Sequence, residues 1–134
     1  MSKNFWRELK RPYFILAPMA DVTDMAFRQV VVDCGRPDVF YTEFVSADGI
    51  NAIGYEKFKG ELFFEENERP IVAQFFSASP EHMYECAQLA QELGFDGIDI
   101  NMGCPAGPIN DQGAGAELIK TSELAKEIIL AAKN

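Results

Sequence analysis

The chain has 134 residues, 48% hydrophobic and 25% charged, a balance that fits one globular domain with a single sizeable core. Its formal net charge of -9 repels phosphate and so argues against a basic nucleic-acid-binding face on this chain. No apolar stretch approaches the roughly 20 residues of a membrane span, and no signal-peptide apolar region follows the polar start Met1-Ser2-Lys3-Asn4, so a cytoplasmic protein is expected. Cys34, Cys86 and Cys104 are odd in number and form no Cys-x-x-Cys pair, which fits reduced thiols and no metal site.

Strand and helix signals take turns along the chain. Tyr13-Phe14-Ile15-Leu16-Ala17 reads as a buried strand closed by Pro18. After Asp21-Val22-Thr23-Asp24, which can cap a helix, Met25, Ala26, Phe27, Val30, Val31 and Cys34 recur at helical spacing until Gly35. Asp38 to Phe44 reads as a second strand. A short helix from Ala47 to Ala52 and a polar connection with a small strand at Leu62-Phe63-Phe64 follow. Ile71 to Phe76 is the next main strand. Ser79-Pro80 then opens a helix carrying Met83, Cys86, Ala87, Leu89, Ala90 and Leu93 before Gly94. The last main strand, Phe95 to Ile100, leads to Cys104. A glycine-rich loop comes next, then a helix starting near Thr121-Ser122-Glu123 that buries Leu124, Ala125, Ile128 and Ile129.

Four β-α units in this order predict a parallel sheet with helical crossovers, and either an open doubly wound sheet or the first part of a (β/α)8 barrel fits. Polar residues inside the apolar strands favour the barrel. Gln74 interrupts Ile71 to Phe76, and Asp99 and Asn101 alternate with Ile98 and Ile100, so a polar group faces one side near each strand's end. In parallel α/β proteins the loops at those ends carry the chemistry, and Asn101-Met102-Gly103-Cys104-Pro105 puts a thiol there.

Four segments carry a resemblance. Leu16 to Asp24 (LAPMADVTD), Tyr41 to Asp48 (YTEFVSAD), Arg69 to Phe75 (RPIVAQF) and Asp96 to Pro105 (DGIDINMGCP) resemble, in order, the signature segments of tRNA-dihydrouridine synthases. The resemblance runs from about Pro12 to the C-terminus. It implies an FMN-containing barrel enzyme with a further helical domain, using NADPH to reduce uridines in tRNA. It also implies that residues 1–134 form one partial FMN-binding domain, the N-terminal portion of a TIM (β/α)8-type barrel with about four β-α units. The second half-barrel and the helical tRNA-binding domain would lie in sequence this chain lacks, so a truncated fragment or a half-barrel that pairs with another chain is expected.

Reducing the C5=C6 bond of uracil needs a hydride at one carbon and a proton at the other, hence a reduced flavin and a general acid within reach. A thiol, mostly protonated near neutral pH, suits the second task. The resemblance assigns that role to Cys104, which would protonate C5 while hydride from reduced FMN reaches C6. It further implies that Ala17, Pro18 and Met19 offer backbone contacts to the flavin ring, and that Gln74 meets the ring's pyrimidine edge. Asn101 would hold the target uracil by donor-plus-acceptor pairing, and Glu43 would stand at the pocket floor near flavin or substrate. Cys34 and Cys86, on apolar helix stripes, read as packing residues.

Other signals carry less. Gly113-Ala114-Gly115 lacks the third glycine of a dinucleotide fingerprint and reads as a tight turn. His82 and Cys86, four apart on one helix, are two ligands short of a zinc site. Glu65-Glu66-Asn67-Glu68 reads as a solvated connection. Family members commonly carry lysine shortly after the Cys-Pro pair, where this chain has Ala106-Gly107-Pro108-Ile109-Asn110-Asp111. Two further readings stand beside the first: an FMN barrel acting on a free pyrimidine or another small unsaturated substrate, and a non-catalytic half-barrel.

Overall fold

The computed structural model describes residues 4–133. Three parallel strands, β1 (Phe40–Ser46), β2 (Ile71–Phe76) and β3 (Gly97–Ile100), lie side by side in chain order. Helix α1 (Met25–Gly35) precedes β1, α2 (Ala47–Ile53) follows it, and α3 (Pro80–Glu92) carries the chain from β2 to β3. Beyond β3 come a single turn, α4 (Gly107–Asn110), a 3-10 segment (Gly115–Lys120) and α5 (Ser122–Ala132). The fold is thus α/β with a parallel sheet. Among the described residues no helix is long and apolar enough to cross a membrane.

The helices start where their caps stand. Asp24 accepts the N–H of Phe27 at 2.8 Å, Ser46 that of Gly49 at 3.0 Å, and Ser79 that of His82 at 3.3 Å, each satisfying an amide that has no partner within the helix. Past α2 and α3 the chain turns at Gly54 and Gly94, with φ of +86° and +82°, a region costly for other residues.

Strand register divides the sheet into two faces. Val45, Phe75 and Ile100 are paired laterally, and Val45 and Phe75 join Met83 and Cys86 of α3 and Leu118 and Ile128 in the main core. Phe44, Gln74 and Asp99 form the next row and point to the opposite face. A register shift between Tyr41 and Phe44 sets that row. The hydroxyl of fully buried Thr42 accepts the N–H of Gln74 at 3.2 Å and donates to the carbonyl of Glu43 at 2.8 Å, supplying a partner where the ladder is broken.

Several expectations are corrected. Tyr13–Ala17 forms no strand: only Ile15 bridges to Val39, and the Leu16 N–H reaches the Val39 carbonyl at 3.1 Å. With one neighbour among the described residues and Phe14 71% exposed, the segment lacks there the second flank that a buried strand requires. Leu62-Phe63-Phe64 forms no strand: the chain leaves a turn at Leu62, and the N–H groups of Leu62 and Phe63 bond back to the carbonyls of Phe58 and Gly60. Cys34 is exposed rather than packed, because α1 docks through another face.

That docking also overturns the solvated reading for Glu68, while Glu65, Glu66 and Asn67 are exposed as expected. Arg28 and Glu68 are both fully buried, Nε to Oε2 at 3.1 Å. The other guanidinium nitrogens donate to the carbonyls of Thr23 (2.8 Å) and Phe63 (2.7 Å), and Gln29 donates to the second Glu68 oxygen at 2.7 Å. The pair ties α1 to the connection before β2, a desolvated arrangement that holds only while every member is present.

Candidate active site

Beyond the tip of β3 the chain leaves the sheet as Asn101 to Pro105, and the side chain of Asn101 shapes this loop. Its Oδ1 accepts the N–H of Gly103 at 3.2 Å and that of Cys104 at 3.0 Å. The Cys104 carbonyl in turn accepts the N–H of Ala116 at 3.0 Å. Gly115 makes that approach possible: it has φ of +62°, and a Cβ there would stand 2.6 Å from the Cys104 carbonyl oxygen and 2.8 Å from Ile109. The Gly113-Ala114-Gly115 turn therefore braces the thiol loop from behind. Cys104 is half-buried and packs, with Phe44, against the cluster of Phe76, Ile109 and Ala114. Phe44 and Phe76 meet edge to face, 5.7 Å between centroids.

In front of the loop lies an open cleft of about 480 Å³, lined by Pro18, Phe44, Gln74, Asp99, Asn101 and Cys104 together with Ile100, Met102 and Gly103. Gln74 Nε2 donates to Asp99 Oδ2 at 2.6 Å, and Asn101 Nδ2 approaches Gln74 Oε1 at 3.5 Å. Tyr41, on the same sheet face, has its phenol pushed up to about 12, first by burial and then by the Asp99 carboxylate and Tyr13.

Of the residues singled out in the sequence, the structure brings Pro18, Gln74, Asn101 and Cys104 together around this cleft. Glu43 is elsewhere. Its Oε1 accepts the N–H of Asp21 at 2.6 Å, and it lines a neighbouring hollow with Asp21, Asp24 and Met25. Met19 has little backbone left to offer. Its N–H donates to Thr23 Oγ1 at 3.0 Å, and its carbonyl accepts from that hydroxyl and from the amides of Val22 and Thr23. Ala17 is exposed beside Pro18. Asn101 differs from its expected donor-plus-acceptor pairing, because two backbone amides already occupy its oxygen and only N–H remains to face a ligand.

A model of the family described as dihydrouridine synthase matches residues 15–134. The chain belongs to the dihydrouridine synthase family. The protein named "Probable tRNA-dihydrouridine synthase 2" of Bacillus subtilis (strain 168) is 48% identical over 134 residues. Those named "Probable tRNA-dihydrouridine synthase" of Staphylococcus aureus (strain COL) and Staphylococcus epidermidis (strain ATCC 12228) are 46% and 45% identical. Each comparison covers 99% of this chain but 41% of the relative, so the chain spans well under half the length of the relatives it matches.

Within this dihydrouridine synthase chain, sequence reasoning set Asp99 on the polar strand face but gave it no role at the site, and passed over Phe44. Asp99 was visible as the polar residue two before Asn101, and the lateral pairing with Gln74 gives it a place. Phe44 was hidden by the register shift that turns it to the cleft face. After Pro105 and Ala106 stands α4. There Asn110 Nδ2 donates to the Pro105 carbonyl at 3.1 Å, and its buried Oδ1 has no partner. Cys86 is inert by position: burial first, then Glu85 and Asp48, push its thiol up to about 12. His82 Nδ1 pairs with Asp48 Oδ1 at 2.6 Å rather than with Cys86.

Proposed function

We infer that the whole protein reduces uridine to 5,6-dihydrouridine in tRNA, with FMN as cofactor and NADPH as reductant, and that Cys104 gives the proton to C5. The observation that carries this reading is the convergence of Gln74, Asn101 and Cys104 on one cleft at the C-terminal strand ends, in a chain of the dihydrouridine synthase family.

The cleft fits the flat ring of a flavin better than its phosphate. Its volume is in the range of cofactor pockets, Pro18 and Phe44 give apolar surface, and Gln74 keeps one N–H and one oxygen lone pair for a pyrimidine edge. None of the nine lining residues is cationic, so the phosphate would be held by residues outside this cleft. When bound, reduced FMN would supply the hydride for C6. Gln74 and the backbone at Ala17 and Pro18 would hold and orient the ring. Asn101 would donate its free N–H to a uracil carbonyl. Cys104 would hold a proton at Sγ and deliver it to C5, with Phe76, Ile109 and Ala114 keeping water from its back side. Glu43, on β1, would act through the Asp21 N–H, shaping the loop that runs from Pro18 to α1.

We read the sheet as the first portion of a (β/α)8 barrel. Support comes from the parallel order, the Ile15 bridge extending it beyond β1, and the outer edge of β3, which has no strand partner among the described residues. Exposed Phe14 and Val30 at one flank and Ile119 and Leu130 at the other are the surfaces that further β-α units would cover. The acidic composition leaves the tRNA backbone to be met by basic surface in the rest of the protein, and the substrate implies a cytoplasmic location.

The test is anaerobic: the full-length protein is loaded with FMN and reduced with NADPH, and its flavin absorbance is followed. Reoxidation on adding tRNA that lacks dihydrouridine supports the reading. Reoxidation by free pyrimidines alone, or by neither, overturns it.

A further inference from the structure

The geometry points to Asp99 as a positioning residue that fixes which end of the Gln74 amide faces the cleft. A glutamine amide has one oxygen that accepts and one nitrogen that donates, and nothing in its own shape decides between the two orientations. Its partners decide. Asp99, pairing laterally with Gln74 across β2 and β3, is an acceptor-only carboxylate, and at 2.6 Å it takes one Gln74 Nε2 hydrogen in a charge-assisted bond. Gln74 Oε1 is thereby turned toward Asn101 Nδ2.

The far end of the row sets the same direction. The N–H groups of Gly103 and Cys104 are donors only, and they hold Asn101 Oδ1, which leaves Asn101 to present nitrogen toward Gln74. A carboxylate at one end and two amides at the other thus impose one polarity on both side chains between them. Flipping Gln74 would set its oxygen against the Asp99 carboxylate and its NH2 against the Asn101 NH2, two repulsive contacts in a partly desolvated cleft. Asp99 therefore acts on a ligand through Gln74. It fixes the order of donor and acceptor that a heterocycle edge meets.

This rests on the flavin reading for its consequence, but not for its first test. In the flavin-free full-length protein, the Gln74 side-chain amide is observed by 15N-resolved NMR, assigned by its loss in Gln74→Glu. One of its two protons should lie well downfield, as a short bond to a carboxylate requires. In Asp99→Asn, which keeps size and can either accept or donate, that displacement should collapse. In Asp99→Leu, if it folds, it should be gone. The second arm titrates FMN into wild type and Asp99→Asn, with melting temperature as a control on folding. A dissociation constant raised about tenfold at unchanged melting temperature is expected, the loss of one oriented hydrogen bond. An undisplaced amide in wild type, or equal FMN affinity in Asp99→Asn, overturns the role of Asp99. Wild-type protein that binds no FMN but shows the displaced amide overturns the flavin reading and leaves the amide lock standing.

Discussion

The side-chain oxygen of Asn101 accepts the backbone N–H of Cys104 at 3.0 Å, so a residue that lines the cleft also builds the loop carrying the thiol. This double duty separates two substitutions. Asn101→Asp keeps an acceptor for the Gly103 and Cys104 amides but removes the N–H offered to a carbonyl. It should retain the fold and lose on the order of 100-fold or more in tRNA-driven flavin reoxidation. Asn101→Ala loses both, and its Cys104 should in addition be alkylated faster than in wild type in a Cys34→Ser background. Rapid-mixing kinetics and iodoacetamide labelling read the two effects.

Gly115 is the second point where the loop is exposed to a small change. Alanine there would need φ of +62° and would put a methyl 2.6 Å from the Cys104 carbonyl oxygen, which is backbone and cannot rotate away. Gly115→Ala should destabilise by about 2 kcal/mol or more and lower the melting temperature by several degrees. Gly107, whose added Cβ would meet nothing within 4 Å, is the control: Gly107→Ala should melt close to wild type.

The buried Arg28 and Glu68 pair predicts an asymmetry between single and double changes. Glu68→Ala leaves a guanidinium with no counter-charge in the interior and should cost about 3–5 kcal/mol in chemical denaturation. Replacing both partners by apolar residues of similar volume should cost less than Glu68→Ala alone.

Stability should fall on the alkaline side. The Cys86 thiol rises from an ordinary 9.0 to about 12 and the Tyr41 phenol from 10.0 to about 12 in the folded chain, both chiefly through burial. Between those values the unfolded chain has lost protons that the folded chain keeps, so stability is fully present below about pH 9 and declines as pH rises toward 12. Cys86 alone contributes up to about 4 kcal/mol to that decline. Denaturant midpoints from pH 7 to 11 should show it, and Cys86→Ala should flatten the curve while lowering stability at pH 7.

Much of this architecture was legible because its signals are local. Asp24, Ser46 and Ser79 stand directly before runs of helical period, and Gly54 and Gly94 follow them, so caps and stops mark α1, α2 and α3 in the sequence itself. Gln74, Asn101 and Cys104 could be placed because period-two alternation and strand-end position together define a face. What was not legible depends on partners distant in sequence. Glu68 reads as one of four solvated residues until Arg28, forty positions earlier, is folded beneath it. Tyr13–Ala17 has the composition of a buried strand, but burial needs a neighbour on each side and the segment has one among the described residues. Asn101 lines the cleft, yet its donor-only character follows from two loop amides that no spacing rule reveals.

Proton delivery from Cys104 to C5 is tested most directly with the FMN-loaded, NADPH-reduced full-length protein and unmodified tRNA in a single turnover. Cys104→Ala should fold and bind FMN like wild type, yet form dihydrouridine at least about 100-fold more slowly, the loss expected when a general acid is removed. A Cys104→Ala protein that reduces tRNA uridine at the wild-type rate would rule out Cys104 as the proton donor.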